Sequence, residues 1–370
     1  MKTLATVAIF ALAQAAPSPA PPDAGRAAAQ YAAADYVAAV AMLTGGRVTA
    51  GSLTSDLDRW IAGTDAAGQP QRRLVASALA LEAVSTATRR DWPNQHTTNF
   101  DSWGHTTPGD PARWALSSYV AQGYVGAWVV RQTARVPASG IRHRLLLATI
   151  GLMEDGHAWH YFEESLPAIR NALPDESRVG LAEVLLQQYR ELGSLRMLTA
   201  SRRLDVLRDE DLPSSMTRQI PKIQARYDAL AAANPAVAGE ALLRAAYLDL
   251  RRRDWKGAVT RLDQSRDRHT ETILRAASDY FLGWTHARIG NDDDAIAAYR
   301  RALDVTPTMR NLATELSALL FLRNERHEAY AILDRAFNAP DIPPDFMMII
   351  ERADVRFVDG HLRAIREALK

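Results

Sequence analysis

The sequence predicts an all-α protein whose C-terminal third consists of repeated antiparallel helix pairs. Three observations carry that expectation. The stretch Leu282 to Pro307, LGWTHARIGNDDDAIAAYRRALDVTP, reads as two amphipathic helices facing each other across a tight turn. Leu282, His286 and Ile289 line one side of the first helix, and Ile296, Tyr299 and Leu303 line one side of the second. The alanine that opens the second helix then recurs as Ala258, Ala295 and Ala329, at intervals of 37 and 34 residues. A period of that size is the mark of stacked helical units. Elsewhere, apolar runs of helical spacing are separated by Gly and Pro, which break helices.

The chain has 370 residues, no cysteine and a formal net charge of +1. That length allows one large or two medium domains with ample core. The near-neutral charge carries no electrostatic footprint for nucleic acid. Basic residues are overwhelmingly Arg, with lysine only at Lys2, Lys222, Lys256 and Lys370. Together with heavy Ala use, this points to a GC-rich genome.

Residues 1–16 read as a secretory signal peptide. Lys2 supplies the positive start, Leu4 to Ala13 the apolar run, and Ala13-Gln14-Ala15 the cleavage box. The apolar run is too short to span a bilayer, and no cysteine follows to take a lipid anchor. An Ala-rich cytosolic N-terminus is the alternative. The expectation is a bacterial periplasmic or secreted protein, cleaved near Ala15, with no stable membrane insertion afterwards. Pro17 to Pro22 form a stiff spacer. In an oxidising compartment the mature chain would have to rely on its packed core, having no disulfide.

Residues 23–233 read as a less regular helical region. An Ala-rich helix is expected from Arg26 to Leu43, and a short one carries Leu53, Leu57, Trp60 and Ile61 behind a Thr54-Ser55-Asp56 cap. Arg72 to Arg89 follows, with Glu82 inside its apolar run as either a buried acid or a partner of Arg89 or Arg90. Trp92 to Arg113 has no helical period and carries Trp92, His96, Phe100, Asp101, Trp103 and His105. An irregular stretch of this length is a functional loop or a packed surface loop. Trp114 to Gln132, with Gly123 and Gly126, reads as a buried helix with close Gly contacts. His143–Met153 and Ala158–Ile169 form a pair around Asp155-Gly156; Val179–Glu191 and Leu195–Leu207 form another, and Pro221–Ala233 closes the region.

Residues 234–240 are the best candidate linker, because Asn234-Pro235 punctuates the pattern. Residues 241–338 hold the three repeat units. Residues 339–370 read as capping helices, Asp345–Val358 turning at Asp359-Gly360 into His361–Lys370.

The central unit resembles the tetratricopeptide repeat in its residues Leu282-Gly283, the turn Gly290, and then Ala295, Tyr299, Ala302 and Pro307. It departs from that pattern at Asp279, where the family has Trp, and at His286, where it prefers Tyr. Ser265 replaces the second-helix Ala in the preceding unit. The resemblance implies a right-handed α-solenoid, for which the alternative in residues 22–234 is a compact non-repeat bundle. It also implies that the first helix of each unit lines a concave groove. That face carries Leu243, Tyr247 and Arg251, then Tyr280, Trp284 and Arg288, then Asn311, Thr314 and Phe321. Aromatic and Arg side chains are typical of binding hot spots, so a protein or peptide partner is expected; packing against a neighbouring domain is the alternative. The Lys/Asn clamp of chaperone-binding relatives is not present at these positions.

A second reading places metal or small-ligand chemistry in MEDGHAWHYFEE, where His157, His160 and Glu164 share one helical face. With the loop His96–His105 it would make a metal-dependent or ligand-binding site. No Gly-x-Ser-x-Gly, phosphate loop or dinucleotide fingerprint accompanies it, and no cofactor is expected.

Overall fold

The computed structural model describes residue 28 and residues 49–97, 116, 119–155, 158–192, 214–307, 309–338 and 349–370. The expected signal peptide, the spacer, most of the first Ala-rich helix, the loop beyond Thr97, His157 and the Leu195–Leu207 helix lie outside them. Among the described residues every regular element is an α-helix, as the periodicity predicts. The chain divides into two units, residues 180–353 and residues 1–179 with 354–370.

The first unit holds α1 (Ala50–Ala62), α2 (Gln69–Thr97), α3 (Tyr119–Thr133), α4 (Gly140–Asp155) and α5 (Trp159–Ala172). Helix α3 packs against α1, α2, α4 and α5. That is a bundle around a central helix rather than a string of pairs, so the non-repeat alternative describes this region. Two glycines let α3 sit at the centre: a Cβ on Gly123 would lie 2.4 Å from the Tyr161 ring, and one on Gly126 would lie 2.6 Å from Met153 Cε. The close-contact glycines expected from the sequence are therefore present. Asp58 joins α1 to α3 by accepting from Trp128 Nε1 at 3.1 Å and Gln132 Nε2 at 2.9 Å.

Some expected boundaries move. The cap of α1 is Thr49, whose hydroxyl accepts from Ser52 N while Ser52 Oγ accepts from Thr49 N. Thr54, expected in the cap, is buried inside the helix and donates to Ala50 O and Gly51 O. A threonine can satisfy its hydroxyl on the preceding turn as well as at a cap. Helix α2 continues to Thr97, so Trp92–Thr97 is helical and not loop. Glu82 is buried and pairs with Arg366 Nε at 2.5 Å; the side chains of Arg89 and Arg90 lie outside the described residues.

Arg366 belongs to the last helix, Ile349–Ala368, which runs unbroken through Asp359-Gly360. From Asp354 onward this helix belongs to the first unit and does not cap the repeats. Its Val358, Leu362, Ile365 and Leu369, spaced by four, three and four, join the core of α1–α4. Gly151 of α4 gives it room, since a Cβ there would meet Val358 Cγ2 at 2.8 Å.

The second unit contains most of α6 (Ser177–Leu192), then α7 (Ser214–Ala233), α8 (Pro235–Arg251), α9 (Trp255–Arg268), α10 (Thr272–Arg288), α11 (Asp292–Val305), α12 (Arg310–Leu322) and α13 (Arg326–Asn338); the closing Ile349–Ala368 helix is α14. From α7 to α13 each helix packs on the next, and α8 also meets α10. Nearest-neighbour packing of this kind is the geometry of a helical-repeat stack. The expected linker 234–240 is part of it: Asn234 is the N-cap and Pro235 the first residue of α8, where proline's missing N–H costs nothing. Pro221 lies inside α7, which starts seven residues earlier than expected.

The three turns are equivalent. Arg253, Gly290 and Asn324 take positive φ of 60°, 79° and 64°, at the same 37- and 34-residue spacing as the alanines. The next amide in each case reaches back to a carbonyl in the last turn of the preceding helix: Asp254 N to Asp249 O at 3.0 Å, Asn291 N to His286 O and Glu325 N to Leu320 O both at 2.9 Å. This is a left-handed C-terminal cap.

The departures from the repeat pattern have local causes. Asp279 is buried and accepts from Arg301 Nε at 2.8 Å across α10–α11. Ser265 is buried against Gly239 O (2.8 Å), His269 Nε2 (2.9 Å) and Ser278 Oγ (2.9 Å), so an alanine would leave this network unpaired. Burial pushes the His269 imidazole down to about 4; Arg275 also lowers it, and Glu240 opposes. The unfolded chain therefore binds the proton first, between its ordinary value near 6.5 and about 4. Stability is complete above that window and declines as the pH falls through it. From pH 7.5 to pH 5 this one group is expected to cost about 2 kcal/mol. Urea midpoints at the two pH values, with His269→Gln alongside, measure it; an equal decline in the variant would remove His269 as the cause.

Candidate interaction surface

The face expected to form an open groove is closed over its first two units. All residues from Val237 to Leu250 of α8 are buried, as are those of α10 from Ile273 to Thr285 except Arg275. Leu243, Tyr247, Tyr280 and Trp284 are therefore core residues and do not line an open surface. The physical reason is that each helix is flanked by three others, α8 by α7, α9 and α10, and α10 by α8, α9 and α11, which leaves little of either surface to solvent. Tyr247 meets Phe281 edge-on with centroids 6.1 Å apart, and Tyr280 meets Tyr299 at 6.0 Å. Burial pushes the Tyr247 phenol up to about 12, against the pull of Arg251. Trp284 packs on Trp255 at 5.8 Å.

The expected arginines are placed over this aromatic layer. Arg288 is exposed, its guanidinium 4.7 Å from the Trp284 ring centroid, and Arg251 is half-buried beside Tyr247. Asn311 is half-buried, Thr314 exposed and Phe321 48% exposed on α12.

The last helix pair departs from this enclosed pattern. Leu322 is 81% exposed, Tyr330 65% and Phe337 48%. Thr314 of α12 and His327, Tyr330, Leu333, Asp334 and Phe337 of α13 line a groove of about 780 Å³. Helix α13 carries two apolar stripes. Ala329, Ile332 and Ala336 are buried on α12 and its neighbours. Tyr330, Leu333 and Phe337, spaced by three and four, form the second. That second stripe was readable in the sequence, because a repeat helix needs only one apolar side for its own unit. Two arginines stack on the exposed rings, Arg326 over Phe321 at 5.1 Å and Arg310 over Phe337 at 5.0 Å. They hold the rings in place and add charge at the rim.

Of the metal reading, His157 and the side chains of the His96–His105 loop lie outside the described residues. His160 and Glu164 form a pair at 3.3 Å on the exposed side of α5, with side chains 78% and 60% accessible. Among the described residues no group of three His, Asp or Glu side chains is placed to hold a metal. Among the described residues, too, no helix is long and apolar enough to cross a membrane.

No family model and no curated protein matches the chain. Among solved structures it is similar to the crystal structure of MamA, with 16% sequence identity and a TM-score of 0.34, over 50% of this chain and 92% of that one.

Proposed function

We propose that the protein is a helical-repeat scaffold that holds a protein or peptide partner, working in the bacterial periplasm or outside the cell. The observation that carries the binding role is the apolar surface of α12–α13, where Tyr330 and Phe337 are exposed along one groove and Phe321 and Leu322 are exposed at the end of α12. Large exposed apolar patches mark interaction sites. Aromatic anchors with Arg at the rim supply most of the energy at such sites. The location is supported by Lys2, the apolar run and the Ala13-Gln14-Ala15 box.

A photo-crosslinking residue placed at Tyr330 or Phe337 in the producing cell tests this reading. One discrete adduct is expected at each site and none at exposed Glu163 on α5. With the captured partner purified, Tyr330→Ala and Phe337→Ala should each weaken binding by about 1–2 kcal/mol, roughly tenfold. Equal adducts at Glu163, or unchanged affinity in both variants, would reject the surface.

A further inference from the structure

We propose that the first unit binds a small organic anion, a phosphate or carboxylate group on an apolar body, in a pocket between the start of α4 and His361 of α14. The cavity is about 590 Å³, within the range of small-molecule sites. Its polar side is basic: Arg142, His143 and Arg144 come from the first turns of α4, and His361 from α14. Its other side is apolar, from Leu147, Ala172 and Leu173.

The charges in this cavity are largely uncompensated. Glu176 pairs with His143 Nε2 at 3.1 Å and also accepts from Arg178 N at 3.2 Å. Among the described residues Arg142 and Arg144 have no ion pair. Among the described residues two buried nitrogens at the site, Arg142 Nε and His361 Nδ1, have no hydrogen-bond partner, a costly state that an anion's oxygens would relieve. The backbone adds to this. Ser139 caps α4, its Oγ accepting from Arg142 N at 3.1 Å, and no acidic residue sits in the first turn. The amides of Gly140 and Ile141 precede the first helical acceptor, and a Cβ on Gly140 would meet nothing within 4 Å. Open space therefore lies over the positive end of the helix.

The imidazole of His361 is held against the Phe357 ring at 4.3 Å. Burial pushes it down to about 4, and Arg144, His143 and Arg178 push further in the same direction, with Glu176 opposing. At neutral pH it is uncharged and offers one donor and one acceptor. The guanidinium forks, suited to both carboxylate and phosphate, supply the attraction.

The test is calorimetric titration of the full chain with phenyl phosphate, benzoate and neutral benzyl alcohol. Saturable one-to-one binding of an anion, and none of benzyl alcohol, is expected. Phenyl phosphate against benzoate then separates phosphate from carboxylate recognition. Arg144→Met, an exposed position where loss of folding is not a concern, should weaken binding at least tenfold, and Arg142→Met more. His361 should titrate at higher pH in the complex by NMR. No saturable binding of either anion, or equal affinity in both Arg variants, overturns the proposal.

Discussion

Replacing Arg178 with methionine is expected to lower the stability of the chain by about 3 kcal/mol. The Arg178 and Glu154 side chains are 9% and 4% accessible, with Nη2 and Oε2 2.6 Å apart. The guanidinium also covers the Phe357 ring at 4.9 Å, which ties α6 and α4 to α14 within the first unit. Methionine keeps much of the packing and removes the charge, so the cost is that of a carboxylate left in the interior. Pairing the change with Glu154→Leu should recover most of the loss, since an apolar pair of similar volume avoids the desolvation of both ions. Urea midpoints of the single and double variants measure both steps. A single variant within 0.5 kcal/mol of the parent, in round numbers, would show that water already reaches Glu154.

Gly283→Leu is expected to cost about 3 kcal/mol. A Cβ at Gly283 would lie 2.5–2.8 Å from three atoms of the Tyr299 ring. That ring is fully buried and packed on Tyr280, so it cannot step aside. The two helices must separate instead, in the best-packed pair of the repeat stack. Gly360→Ala, the contrasting substitution, should stabilise by up to about 1 kcal/mol, because it lies within α14 with nothing near its Cβ. Opposite signs at two helical glycines in one thermal-denaturation series would isolate contact from propensity. A neutral Gly283→Leu would mean that α10 and α11 are looser than their contacts imply.

The repeat stack was legible because its signals are local. Gly290, Arg253-Asp254 and Asn324 mark turns by their position relative to helical stripes, and each turn is where the pattern puts it. Asp279 and Ser265 stand out in the sequence as departures, but their partners, Arg301 and the His269–Ser278 pair, are visible only once helices are stacked. Burial was legible too, though not what does the burying. The stripe Val358, Leu362, Ile365, Leu369 announces a packed face, yet nothing in it says that the other half is α4 and Glu82, far away in sequence. The same limit explains the misplaced groove: Tyr247 and Trp284 are aromatic whether they meet a partner or a neighbouring helix. Tyr330 and Phe337 were the better guide, being an apolar stripe in excess of what α13 needs.

Insertion of the repeat unit between Val179 and Asp354 has a consequence for synthesis of the chain. The repeat helices find their partners among neighbours in sequence, so they can pair as they leave the ribosome. The bundle cannot finish: its Glu82 waits, already translated, for Arg366, which follows the whole repeat unit in the chain. This unit thus closes after the repeat stack, and until it does its core is open to chaperones and proteases.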